Sequence, residues 1–153
     1  MNKAKEAFLK KDFISLLGKL KADDKGKWGI MNAQQMVEHF ADSVKNANGK
    51  LVFPLLNEGE RLQKSRELLM SETPFKENTK NPLIPEGGIP LRMPDLQSAI
   101  NKLQKELDYF FEVFENHPEL KTINSIFGEL DYEMNIQLLH KHAMHHLRQF
   151  GLV

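Results

Sequence analysis

The chain has 153 residues, 41% hydrophobic and 27% charged, which suits one domain over 1–153 with a sizeable apolar core. Lysine plus arginine and aspartate plus glutamate number 21 each, so no net field draws the chain onto nucleic acid. There is no cysteine, which excludes disulfides and protein thiolate ligands, and no apolar run approaches the roughly 20 residues of a membrane helix.

The first predicted element is a short amphipathic helix in which Phe13, Leu16, Leu17 and Leu20 recur at three- and four-residue spacing. Gly18 weakens it, and the Lys21 to Lys27 run with Gly26 ends it. The next helix has a well-marked start. Asn32 is a good N-cap, Gln35 stands where a capping box needs it, and Met31 and Met36 are spaced for a hydrophobic staple. It runs to about Asn48, with Gly49 suited to the left-handed position beyond the end. Met36, Phe40, Val44 and Ala47 form its apolar face, and His39 lies at the edge of that face.

A third helix is predicted from Glu58 to Ser71, with Leu62, Leu68 and Leu69 inward. Between Glu72 and Asp95 come Pro74, Pro82, Pro85, Pro90 and Pro94 and the pair Gly87-Gly88, mixed with Phe75, Leu83, Ile84, Ile89, Leu91 and Met93. Such a stretch is too apolar for a free linker; it reads as a packed crossover or as a functional loop.

The following helix is the most regular. Leu96, Ile100, Leu103, Leu107, Phe110 and Phe114 alternate four- and three-residue steps, Asp95 is the N-cap and Pro118 lies beyond the end. Tyr109, Phe111 and Val113 fall off that stripe, which suits either a contact with a second subunit or deep burial within one bundle. The last helix starts at Asp131 and runs to Phe150, with Gly151 as its stop. No strand alternation or hairpin signal is evident. The fold expected is all-α: a four-helix bundle with an extra N-terminal helix and a long Pro-rich crossover loop.

Four of the six histidines fall between His140 and His146. On a helix, His142 and His146 are one turn apart and share a direction, as two imidazoles on one metal ion require. At about 100° per residue they lie on the inner flank of the sector defined by Tyr132, Leu139, Ala143 and Phe150. His145 is displaced toward the polar side and His140 points nearly opposite His142, toward the surface. Gln149 follows on the ligand side and could hydrogen-bond a ligand histidine or a bound substrate. His39, from a facing helix, is a candidate third ligand. The same spacing also arises in partly buried or surface histidines that bind nothing. His117, beside Pro118, suits a helix C-terminus better than a metal. Glu38 points away from His39 and is expected to be solvated.

His39 on an early helix, His142-x-x-His145-His146-x-x-Gln149 on the last one, and the runs Trp28-Gly29-Ile30-Met31-Asn32, Asn116-His117-Pro118 and Phe127-Gly128 resemble the DinB/YfiT-like superfamily, in a poorly characterised branch. The similarity spans nearly the whole chain. It implies an up-down-down-up four-helix bundle, often a homodimer, holding a divalent metal (Zn, Ni or Fe) through His39, His142 and His146. Relatives include metal-dependent transferases and isomerases that use low-molecular-weight thiols. This chain departs from them in carrying Leu147-Arg148 where Arg-Gly is common, and in having no fused thiol-acceptor domain.

The function expected is therefore that of a metal-dependent thiol S-transferase acting on a small molecule, with Gln149 or His145 positioning substrate. The alternative is a non-catalytic dimeric metal-binding bundle with a structural or sensory ion. A DNA-binding role fits poorly with zero net charge and no basic recognition helix. Since Met1-Asn2-Lys3-Ala4-Lys5-Glu6 lacks the apolar segment of a signal peptide, a cytoplasmic location is expected.

Overall fold

In a computed structural model, residues 2–79, 84–85 and 88–153 are described. Helical winding begins earlier than the Phe13 to Leu20 pattern suggests. Helix α1 (Lys3–Ala7), a π-helical segment (Phe8–Asp12) and α2 (Phe13–Leu17) run on without a break, and Leu20 falls outside. Leu9, Phe13 and Leu17, at a constant spacing of four, are all fully buried. In a pure α-helix such a stripe drifts by about 40° at each step. The wider π turn offsets that drift, so the three side chains stay on one line.

Helix α3 (Ala33–Ala47) starts as the capping box requires: the Gln35 backbone N–H donates to Asn32 Oδ1 and the Asn32 N–H donates to Gln35 Oε1, each at 2.9 Å. It ends at Gly49, whose φ of 89° places it in the left-handed region. Helix α4 (Gly59–Met70) matches the expected span, but only Leu69 is buried; Leu68 points to solvent. Helix α5 (Leu96–Asn116) is capped by Asp95, which accepts from the Ser98 N–H at 2.7 Å.

The expectation of no strands is corrected. Strands β1 (Thr122–Asn124) and β2 (Gly128–Leu130) pair antiparallel, with Thr122 opposite Leu130. Three residues per strand are too few to show an alternation. Helix α6 (Tyr132–Gln149) follows at once, capped by Asp131.

The main core joins the N-terminal helix, α3, α5 and α6, and includes Phe13, Phe40, Leu103, Phe110, Ile136 and Leu139. Each such side chain, fully buried, contributes about 1.5–3 kcal/mol. Helix α3 lies along α5 and also meets α6. The end of α3 is tied to β1 by Asn46 Nδ2 donating to the Ile123 carbonyl and Thr122 Oγ1 donating to the Ala47 carbonyl. Since α6 begins just after the hairpin, α3 and α6 run in opposite directions, and the middle of α3 faces the C-terminal half of α6. Phe111 and Val113 of α5 are partly buried against the core, which accounts for two of the apolar residues off its main stripe. Tyr109 stays exposed with the Lys50 ammonium 4.4 Å over its ring.

A smaller cluster of Leu69, Phe127 and Leu130 holds α4 against the hairpin and α6. Within the Pro-rich stretch, Pro82, Leu83 and Gly87 lie outside the described residues. Its described parts are packed: Phe75 stacks on Phe127, and the Met93 carbonyl accepts from Gln34 Nε2 at 2.9 Å. Among the described residues no helix is long and apolar enough to cross a membrane.

Candidate metal centre

His142 and His146 sit one turn apart on α6, and their Nε2 atoms are 2.7 Å apart. His39 projects from α3 onto both, with ring centroids 5.2 Å from His142 and 5.5 Å from His146. One nitrogen from each of the three rings lies within 4.8 Å of the others. Two nitrogens that share a tetrahedral zinc at about 2.0–2.1 Å stand about 3.4 Å apart; the His142–His146 pair, at 2.7 Å, is closer than that, and the whole set lies within 4.8 Å. Three nitrogen donors with no thiolate suit Zn, Ni or Fe(II).

The electrostatics favour donor nitrogens. Burial lowers the pKa of His39 to about 4, against a weak opposing pull from Asp42, and that of His146 to about 3. Burial, then the neighbouring rings, put His142 well below its ordinary value. All three imidazoles are neutral at pH 7, the form that ligates a metal. His146 is buried, while His39 and His142 keep part of their surface open. Phe40, next to His39 in sequence, closes one side with its ring 4.8 Å from His142.

The remaining candidates divide. Gln149 is buried and its amide is engaged at both ends: Oε1 lies 2.7 Å from His146 Nδ1, and Nε2 donates to the Trp28 carbonyl at 2.9 Å. His145 packs edge-on against Trp28, centroids 5.5 Å apart, and its buried Nδ1 has no partner among the described residues. Burial and the Arg148 charge lower its pKa, against a backbone contact with Phe75. His140 is not simply a surface residue, since its ring meets Phe8 at 5.4 Å. His117 ends α5 in an exposed position, consistent with a helix terminus.

Glu38 does point away from the cluster, but it is buried rather than solvated. Its carboxylate accepts from the Arg92 N–H at 2.8 Å and the Met93 N–H at 3.4 Å, and so fastens the end of the crossover to α3. Lys141, immediately before His142, faces the other way. Its ammonium donates to the Leu68 carbonyl at 2.6 Å and the Ser71 carbonyl at 3.2 Å, capping α4. Successive residues of α6 thus serve different neighbours, because each residue turns the helix face by about 100°.

Comparisons with protein-family models, curated proteins and solved structures give no match to this chain, so the reading of the site rests on its own geometry. Sequence reasoning missed Trp28 as a partner of the site. Its carbonyl accepts from Gln149 and its ring packs on His145, and the nearest signal was the pair of glycines flanking it, Gly26 and Gly29.

Proposed function

We propose that this chain is a divalent-metal-binding protein of the DinB/YfiT-like superfamily, in which His39, His142 and His146 hold the ion and the loaded protein transfers a low-molecular-weight thiol to an electrophilic small molecule. The observation that carries the reading is the convergence of three neutral imidazoles from α3 and α6 within 4.8 Å. On this reading the N-terminal helix, expected from the sequence as the extra one, joins α3, α5 and α6 as a member of the bundle, and α4 is the addition, packed on α6.

A divalent ion held by neutral ligands keeps its full charge and supplies stabilisation of a thiolate at neutral pH. The chain's own residues supply the rest. His39, His142 and His146 present lone pairs because burial keeps them unprotonated. The partial opening at His39 and His142 is the side from which a small molecule reaches the site. His145 and Trp28, packed edge to face, back the His146 side of the centre, and Phe40 keeps water from the inner side.

Elemental analysis of tag-free protein should find about one equivalent of divalent metal. His142→Ala should lose it and His140→Ala should keep it; equal retention by both variants would refute the ligand set. Metal-loaded protein should also accelerate the reaction of a small thiol with monobromobimane relative to metal-free protein. No acceleration across several thiols would leave a non-catalytic metal-binding protein as the better description.

A further inference from the structure

The structure assigns Gln149 a positioning role: clamped by the 26–29 loop, it locks the His146 ring in the tautomer whose Nε2 lone pair faces the other two histidines. Its consequence for metal affinity rests on the proposed reading of the centre. The geometry of the lock does not.

The Trp28 carbonyl fixes which way the Gln149 amide faces. A carbonyl oxygen can only accept, so the group 2.9 Å from it must be the Gln149 NH2. That orientation leaves Gln149 Oε1 at the other end, 2.7 Å from His146 Nδ1. An amide oxygen is likewise only an acceptor, so Nδ1 must carry the ring proton. A neutral imidazole has a single N–H, and Nε2 is left as a bare lone pair. This is the nitrogen that lies 2.7 Å from His142 Nε2, on the inner side of the cluster. Without the contact, the proton is free to move to Nε2 and occupy the position a metal needs. Partners of this kind, one bond behind a ligand histidine, fix both tautomer and ring orientation.

The clamp on Gln149 is closely built. The Lys27 N–H donates to the Gln149 carbonyl at 2.7 Å. A Cβ added at Gly26 would stand 2.8 Å from Gln149 Cγ and 2.8 Å from the Trp28 carbonyl oxygen. At Gly29, where φ is 78°, it would stand 2.9 Å from Gln149 Nε2. The loop therefore approaches the amide as closely as a chain without side chains permits, and a larger residue at either position would push the amide aside. Of the two roles the sequence leaves open for Gln149, substrate contact and ligand support, the geometry points to support.

The test uses the full-length protein in two measurements. The first is the tautomer of His146 in metal-free, 15N-labelled protein, read from long-range proton–nitrogen correlation spectra. The second is Zn2+ affinity by competition with a chelating dye. The parent should show His146 as a single Nδ1–H tautomer. Gln149→Leu should lose that signature and bind Zn2+ about 10–100-fold more weakly. Gly29→Ala, which displaces the amide without altering its chemistry, should move both readouts in the same direction, and it serves where the leucine variant does not fold. A folded Gln149→Leu protein that keeps the Nδ1–H tautomer, or whose Zn2+ affinity stays within about twofold of the parent, would overturn the assignment. A parent that binds no Zn2+ would sink the metal reading alone, and the tautomer measurement would still decide the role of Gln149.

Discussion

Lowering the pH from 7 to 5 should destabilise the metal-free protein by up to about 4 kcal/mol through His39 and His146 alone. An unfolded histidine titrates near pH 6.5 (about), whereas burial holds His39 at about 4 and His146 at about 3 in the fold. Between those values the unfolded chain binds protons that the folded chain refuses. The contribution of each ring is therefore complete above the unfolded pKa and is lost as the pH falls toward the folded one. By pH 5 each has given up about 2 kcal/mol, at roughly 1.4 kcal/mol per unit. His142 is shifted the same way and adds to the loss. Glu106 does not confuse the interval. Burial opposes its ionisation, but Lys102, Lys50 and Asn48 outweigh burial and hold it at about 2, so its effect falls below the ordinary carboxylate pKa. Against a typical total of about 5–15 kcal/mol, the histidine term is a large share. Urea unfolding with EDTA present, followed by far-UV circular dichroism at the two pH values, measures it. A His39→Gln variant should lose about 2 kcal/mol less over the same interval. A parent loss below about 1 kcal/mol, or an identical loss in that variant, would refute the reasoning.

Phe40→Ala should cost about 3–5 kcal/mol in urea unfolding, because the ring is fully buried between Phe13 and His142, each with centroids 4.8 Å away. Asn32→Ala removes one half of the capping box on α3 and should cost about 1 kcal/mol in the same assay. Lys141→Met strips a donor from the last carbonyls of α4 and should cost about 1–3 kcal/mol, while metal stoichiometry by elemental analysis stays at the parent level because the side chain faces away from the imidazoles.

Signals carried by a few adjacent residues were legible in the sequence. The caps at Asn32, Asp95 and Asp131 and the stops at Gly49 and Gly151 are local chemistry, and each marks a helix end as expected. The inward pairing of His142 and His146 follows from helix pitch, and His39 lies opposite them. What escaped depends on partners far away in the chain. Glu38 reads as a solvent-facing acid until Arg92, more than fifty residues on, is seen beside it. Leu68 and Leu69 are indistinguishable by composition, and only the docking of α4 on α6 decides which is covered. The hairpin is too short to have a period, and the π-helical segment is visible only as an unbroken every-fourth spacing at Leu9, Phe13 and Leu17.

That segment has a consequence for how the first helix can change. Lys5 reaches Gln137 and Glu72, and Glu6 accepts from the Tyr132 hydroxyl, all from the side of the irregular turn that precedes Phe13. Rewinding residues 8 to 12 as ordinary α-helix, at about 100° per residue in place of the wider π turn, would swing everything upstream by roughly a quarter turn. Both polar attachments to the foot of α6 would then face the wrong way. The locally less regular coil is the one that keeps the two ends of this helix in phase.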